Sequence, residues 1–163
     1  MTLRRSFAFI ACVACLGGSA QALTPQQLLR QLPRTWCGSF VWTPKDTPQL
    51  YRVFFREIAL SSGGKLKAWG ECINYSTSRG PTRVTFTAEF DPRTHEVRMW
   101  EKNPVPPSPS YITSGHFDGR INARLNRIEA VWVDRNLRLN ATRFVLEAGP
   151  GAAKHAHCAD SVS

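Results

Sequence analysis

From about residue 36 onward, apolar and polar side chains alternate with a period of two rather than 3.6. The clearest run is 83–90. There Val84, Phe86, Ala88 and Phe90 share one face, and Arg83, Thr85, Thr87 and Glu89 share the other, the signature of a half-buried strand. Asp91-Pro92-Arg93-Thr94 supplies turn chemistry, and 95–102 returns as a second strand. Comparable segments fall at 36–43, 50–60, 66–75, 111–117, 127–134 and 137–147. Between them stand Ser61-Ser62-Gly63-Gly64, Ser78-Arg79-Gly80-Pro81 and Asp118-Gly119, all turn-favouring. The pattern therefore predicts an all-β domain of about eight strands in an antiparallel up-and-down meander. Closing such a meander into a barrel removes its edges and suits a monomer. A proline-rich loop at 103–110 interrupts it once, and no internal repeat is present. Ahead of the strands, Thr24 reads as an N-cap and Pro25 as the first position of a short helix, 25–32, that Pro33 ends. Leu28, Leu29 and Leu32 lie on one face of it, placed to cover an opening.

The first residues follow a different rule. Arg4 and Arg5 precede an apolar stretch, 7–16, and Ala20-Gln21-Ala22 puts small residues where a signal peptidase inspects. The stretch is shorter than the roughly 20 residues that cross a bilayer, so no transmembrane segment is expected. Cys12 and Cys15 each follow an alanine, as a lipid-bearing cysteine does. Phe9 and Cys12 stand three places upstream, where a Leu-like residue belongs, so both cysteines read as small apolar residues of the leader. The expected organisation is a signal peptide at 1–22, one domain at 23–148, and a flexible tail at 149–163. Periplasmic or secreted localisation follows. Cleavage would leave 141 of the 163 residues, enough for a single substantial core.

The leader holds two arginines and no acid, so a formal charge of +9 becomes +7 without it. Arginines are spread from Arg30 to Arg143, with no long basic run and no nucleic-acid-binding module. Nucleic acid is therefore not an expected partner. Dispersed positive charge fits a solubilising surface or attraction to an acidic envelope partner. Three cysteines remain after the leader: Cys37, Cys72 and Cys158. One disulfide and one leftover thiol is the expectation in an oxidising compartment. Cys72–Cys158 would pin the tail, whereas Cys37–Cys72 would staple two strand segments and is preferred.

Arg34-Thr35-Trp36, opening the first strand after a short helix, resembles the calycin pattern of lipocalins and avidin-like proteins, whose first strand carries Gly-x-Trp. The segment Arg127-Ile128-Glu129-Ala130-Val131-Trp132 is similar to the tryptophan-bearing seventh strand of avidin-type barrels. The resemblance implies that Trp36 closes one end, with Arg143 or Arg138 lying across its ring in a cation–π contact worth roughly 0.5–2 kcal/mol. Arg34 stands in place of the glycine. The polar side chains with which avidin-like proteins hold biotin have no counterparts, so no ligand carries over.

Several residues could bear chemistry. His155-Ala156-His157-Cys158 has metal-ligand types, but its Gly/Ala/Ser surroundings favour a tail with a disulfide cysteine, and no metal or other cofactor is expected. His116 beside Asp118 could orient a general base, yet Ser114-Gly115 lacks a nucleophile elbow, and His95 follows a turn. Glu57, Glu71 and Glu101 sit in strand segments, where an inward carboxylate would need a partner or a shifted pKa. Asn74-Tyr75-Ser76 and Asn140-Ala141-Thr142 match the glycosylation pattern incidentally. The aromatics carry more weight. Trp36, Trp42, Trp69, Trp100 and Trp132 are expected either to fill the core or to line a pocket for a flat apolar ligand, with Trp36, Trp69, Trp100 and Trp132 as the lining residues. The preferred function is non-enzymatic binding of a small apolar or amphipathic molecule. The alternative is an envelope-associated interaction module using the arginine-rich face. An enzyme would require His116 and Asp118 to meet a nucleophile in a cleft.

Overall fold

The structure, a computed structural model, describes residues 24–76, 80–107, 113–134 and 138–161. The leader at 1–22 lies outside the described residues, as do parts of the expected turn at 78–81, loop at 103–110 and strand at 111–117. Helix α1 (Pro25–Gln31) begins with a capping box. The Thr24 hydroxyl accepts the Gln27 N–H at 3.2 Å, and the Gln27 side chain accepts the Thr24 N–H at 2.8 Å, satisfying two donors that a helix start leaves open.

Eight strands follow: β1 (Thr35–Val41), β2 (Gln49–Leu60), β3 (Leu66–Asn74), β4 (Thr82–Phe90), β5 (Glu96–Val105), β6 (His116–Ile121), β7 (Arg127–Val133) and β8 (Arg138–Glu147). Each pairs antiparallel with the next, and β1 also pairs with β8, so the meander closes into a barrel. The alternation does what it predicts. Val84, Phe86, Ala88 and Phe90 point inward and are buried, and the intervening side chains of β4 face out. The core cluster joins these to Trp36, Phe40, Phe55, Phe117 and Phe144, with Leu28 of α1 and Leu32, which caps its end, packed in the same cluster.

The strands meet closely where side chains are missing. A Cβ on Gly38 would overlap the Val145 carbonyl, and one on Gly70 would overlap that of Phe54. Gly119 explains why β6 differs from expectation. Asp118-Gly119 reads as a turn, but the strand runs through both residues. Its glycine serves close approach, since a Cβ there would collide with the Glu129 carbonyl and Ala130. The turn comes later, where the Asn122 side chain accepts the Asn126 and Arg127 N–H groups at 3.0 and 3.2 Å. Leu125 is held there in the left-handed region, at φ 54°. Arg34, at the pattern's glycine position, has a local use. Its guanidinium donates to the Arg56 carbonyl at 2.7 Å, where β2 bulges against β3.

The disulfide is Cys37–Cys158, with Cα atoms 6.3 Å apart. This corrects the Cys37–Cys72 pairing, and strand parity is the reason. Cys72 sits inside the core cluster, whereas Cys37 follows inward-facing Trp36 and so points outward. The barrel wall stands between the two sulfurs. Cys72 remains a buried free thiol. The segment expected as a loose tail forms two 3-10 helices, Gly149–Lys154 and Ala156–Ser161. They run back along the barrel wall, where His157 Nε2 lies 3.0 Å from the Tyr51 carbonyl and His155 Nε2 lies 3.3 Å from Glu147.

The bridge spans 121 residues, so its loss frees a long loop in the unfolded chain. Cys158→Ser should lower stability by about 2–5 kcal/mol. The midpoint of urea unfolding measures this, and an unchanged midpoint would contradict the pairing.

Candidate binding site at the loop end of the barrel

The two ends of the barrel differ in chemistry. At one end α1, Trp36 and the turn around Leu125 supply apolar bulk. Trp36 is fully buried, and its indole N–H donates to the Pro33 carbonyl at 2.8 Å. The other end is bordered by the β1–β2, β3–β4, β5–β6 and β7–β8 connections. The buried polar side chains gather toward it. Asn74 ends β3, Thr82 starts β4, Glu101 lies in the second half of β5 and Thr142 in the first half of β8. Burying such groups is costly unless they are hydrogen-bonded, and networks are what the structure shows. Asn74 Nδ2 donates to the Tyr51 hydroxyl at 3.0 Å and to Gln49 Oε1 at 3.1 Å. The Thr142 hydroxyl accepts the Trp132 N–H at 2.7 Å, where the β7–β8 register shifts. The Cys72 thiol is hydrogen-bonded to Glu101.

Aromatic rings pack in the interior beside these groups. Phe117 stacks on Phe144 with centroids 4.4 Å apart, and Trp132 meets Phe117 edge-on at 4.8 Å. Trp42, partly buried just beyond β1, packs edge-on against Phe40 at 4.8 Å and Trp132 at 6.3 Å. An apolar surface with a few converging polar groups is the usual make-up of a small-molecule site.

The four tryptophans expected as lining residues divide between two faces. Trp36 and Trp132 point into the barrel, Trp36 at the helix end and Trp132 toward the loop end. Trp69 and Trp100 occupy outward positions of β3 and β5, and Trp69 is 39 % exposed. They cannot line the interior, because each is flanked by inward neighbours of opposite parity: Ala68, Met99 and Glu101. Arg143 is likewise displaced from its expected role. It is opposite Val41 on the outer face, with a 63 % exposed side chain 3.6 Å from Glu129, and does not cover Trp36. The side chain of Arg138 lies outside the described residues.

Strand parity and one bulge separate the three glutamates: Glu57 shares the parity of inward Phe55 and is turned outward by the register shift between them. Glu57 and Glu71 face outward, Glu71 pairing with Arg56 at 2.7 Å, whereas Glu101 is buried. Glu101 shares its face with Val97 and Met99, and that two-residue step is the signal that marks it as inward. Tyr51 and Asn74 are not singled out as site residues by the alternation alone.

Other candidate chemistry is engaged elsewhere. Asp118 lies 2.8 Å from Arg98 and 3.3 Å from His116 on the outer wall. Partial burial pushes the Asp118 pKa up, but the Arg98 hydrogen bond and charge, aided by His116, outweigh it and hold the carboxyl below its ordinary value. Asp118 is thus shared between Arg98 and His116 on the outer wall. Cys158 of the His155-Ala156-His157-Cys158 run is consumed by the disulfide. Among the described residues, no three His, Cys, Asp or Glu side chains converge as a metal site. No family model and no curated protein sequence matches the chain.

Burial and then the Glu101 carboxylate push the Cys72 thiol well above its ordinary pKa, so it stays protonated and unreactive at neutral pH. Peptide mapping after iodoacetamide at pH 8 should find Cys72 unlabelled in the native protein and labelled once it is unfolded. Rapid native labelling would show the interior open at this point.

Proposed function

We propose that this protein is a non-catalytic binding protein that accepts a small amphipathic molecule through the loop end of the barrel. The observation that carries the reading is the gathering of buried polar side chains at one end of an otherwise hydrocarbon interior. A ligand's apolar part would lie against Trp132, Phe117 and Phe144, and its polar part would exchange hydrogen bonds with the Tyr51–Asn74 network. Trp36 and α1 support an entry on one side only, since they occupy the opposite end. The same reading takes the protein to work outside the cytoplasm. The Arg4-Arg5 leader pattern and the Cys37–Cys158 bridge support that location.

Titration with fatty acids, polyenes and flat aromatic compounds should give a saturable change in tryptophan emission with at least one class. Trp132→Phe should remove most of that change. Asn74→Leu should weaken binding by about tenfold, through a lost polar partner in a buried site. A flat response across the set, or one untouched by both substitutions, would rule out the interior site.

A further inference from the structure

Displaced from the interior, Trp69 and Trp100 form a feature of their own. Trp69 on β3 and Trp100 on β5 are both cross-strand partners of Thr87 on β4. Both project from the outer face. Their Cα atoms are therefore two strand spacings apart, about 9.5 Å, with only a short threonine side chain between. The row continues to His116 on β6, whose ring centroid is 6.1 Å from that of Trp100 and tilted by 31°.

One step along the strands runs a parallel polar row: Lys67, Glu89, Arg98 and Asp118, each the cross-strand partner of the next. Glu89, Arg98 and Asp118 line a surface groove of about 360 Å³ together with Lys65, Asp91, Glu96, Val97, Gly119 and Arg120. The groove's charges are matched to one another. Lys65 pairs with Glu89 at 3.0 Å, Arg98 pairs with Asp118 at 2.8 Å, and Arg120 donates to the Thr94 carbonyl at 2.6 Å. Three cations stand against four carboxylates, a groove close to neutral on a chain of formal charge +9. Balance of this kind does not attract a polyanion. Cationic donors beside carboxylate acceptors suit a group that is donor and acceptor at once, and the hydroxyl is that group. Flat rings repeating along the row suit a ligand with repeating flat apolar faces.

We propose that the outer face of β3 to β6 binds an extended, uncharged β-1,4-linked polysaccharide chain. In such a chain, alternate pyranose rings turn the same C–H face to one side, so Trp69 and Trp100 would each stack on one ring of a pair two sugars apart. The intervening hydroxyls would reach Glu89, Arg98 and Asp118. This site is separate from the barrel interior, and an empty interior would leave it untouched.

The test is calorimetric titration of the full protein with cellohexaose and chitohexaose, backed by retention on insoluble cellulose and chitin. Hyaluronan and single-stranded DNA are the charged comparators. Binding is expected for at least one neutral hexaose and is expected to be far weaker for its disaccharide, which cannot reach both rings. Trp69→Ala and Trp100→Ala should each lower affinity by about tenfold, the range of stacking on an aromatic platform, and Trp69→Tyr should restore most of it. Should an alanine variant fail to fold, loss of hexaose binding on adding Thr87→Arg between the two rings tests the same face. Absence of binding to every neutral glycan would overturn the proposal. So would binding that ignores all these substitutions, or salt-sensitive capture of the polyanions alone.

Discussion

The pairing of β1 with both β2 and β8 is the constraint on which the rest of this molecule depends. An eight-stranded meander left open would expose two unpaired backbone edges and could not keep its alternating faces apart. Closure makes inside and outside fixed properties of alternate positions along each strand, reset only where a bulge intervenes, as between Phe55 and Glu57. Gly38 sits at the seam, pressed on the Val145 backbone, so the seam is tight because that position lacks a side chain. Everything chemical in the protein then follows from which side of the wall a residue occupies.

That constraint explains what the sequence made legible. Alternation is a local signal, so the strands and the inward set of β4 could be read directly, as could the helix from Thr24 and Pro25. Three things were less accessible. The placement of β6 turned on Gly119, and a glycine needed for contact with Glu129 and Ala130 on another strand looks identical to one needed for a turn. The disulfide depended on parity within β1. Once Trp36 is assigned to the core, Cys37 must face out and Cys72 cannot reach it, yet sequence neighbours alone make both look aromatic-flanked. The division of the tryptophans had the same origin. Large aromatic residues are drawn to interiors on average, but Trp69 and Trp100 fall on the wrong step of their strands.

The candidate interior site was only half visible for a related reason. Trp132 and the alternating phenylalanines were expected inside, and there they form the apolar part. Its polar part joins residues distant in sequence, such as Gln49, Tyr51 and Asn74 or Cys72 and Glu101. No short motif announces such a group, since its members converge only when neighbouring strands come into register. Glu101 is the exception that parity could have flagged.

The long covalent ring has a consequence for assembly. Cys37 and Cys72 are 35 residues apart in the chain, whereas the native bridge joins residues 121 apart. Ring closure in a disordered polymer favours the shorter circuit by about sixfold. An oxidant that arrives before the wall exists therefore favours the wrong partner, and the finished sheet is what vetoes it by placing the two sulfurs on opposite sides. Correct oxidation is in this sense a late event. The two 3-10 helices that carry Cys158 must dock on the wall before the thiol of β1 meets its native partner, which makes that segment a lock on the closed barrel.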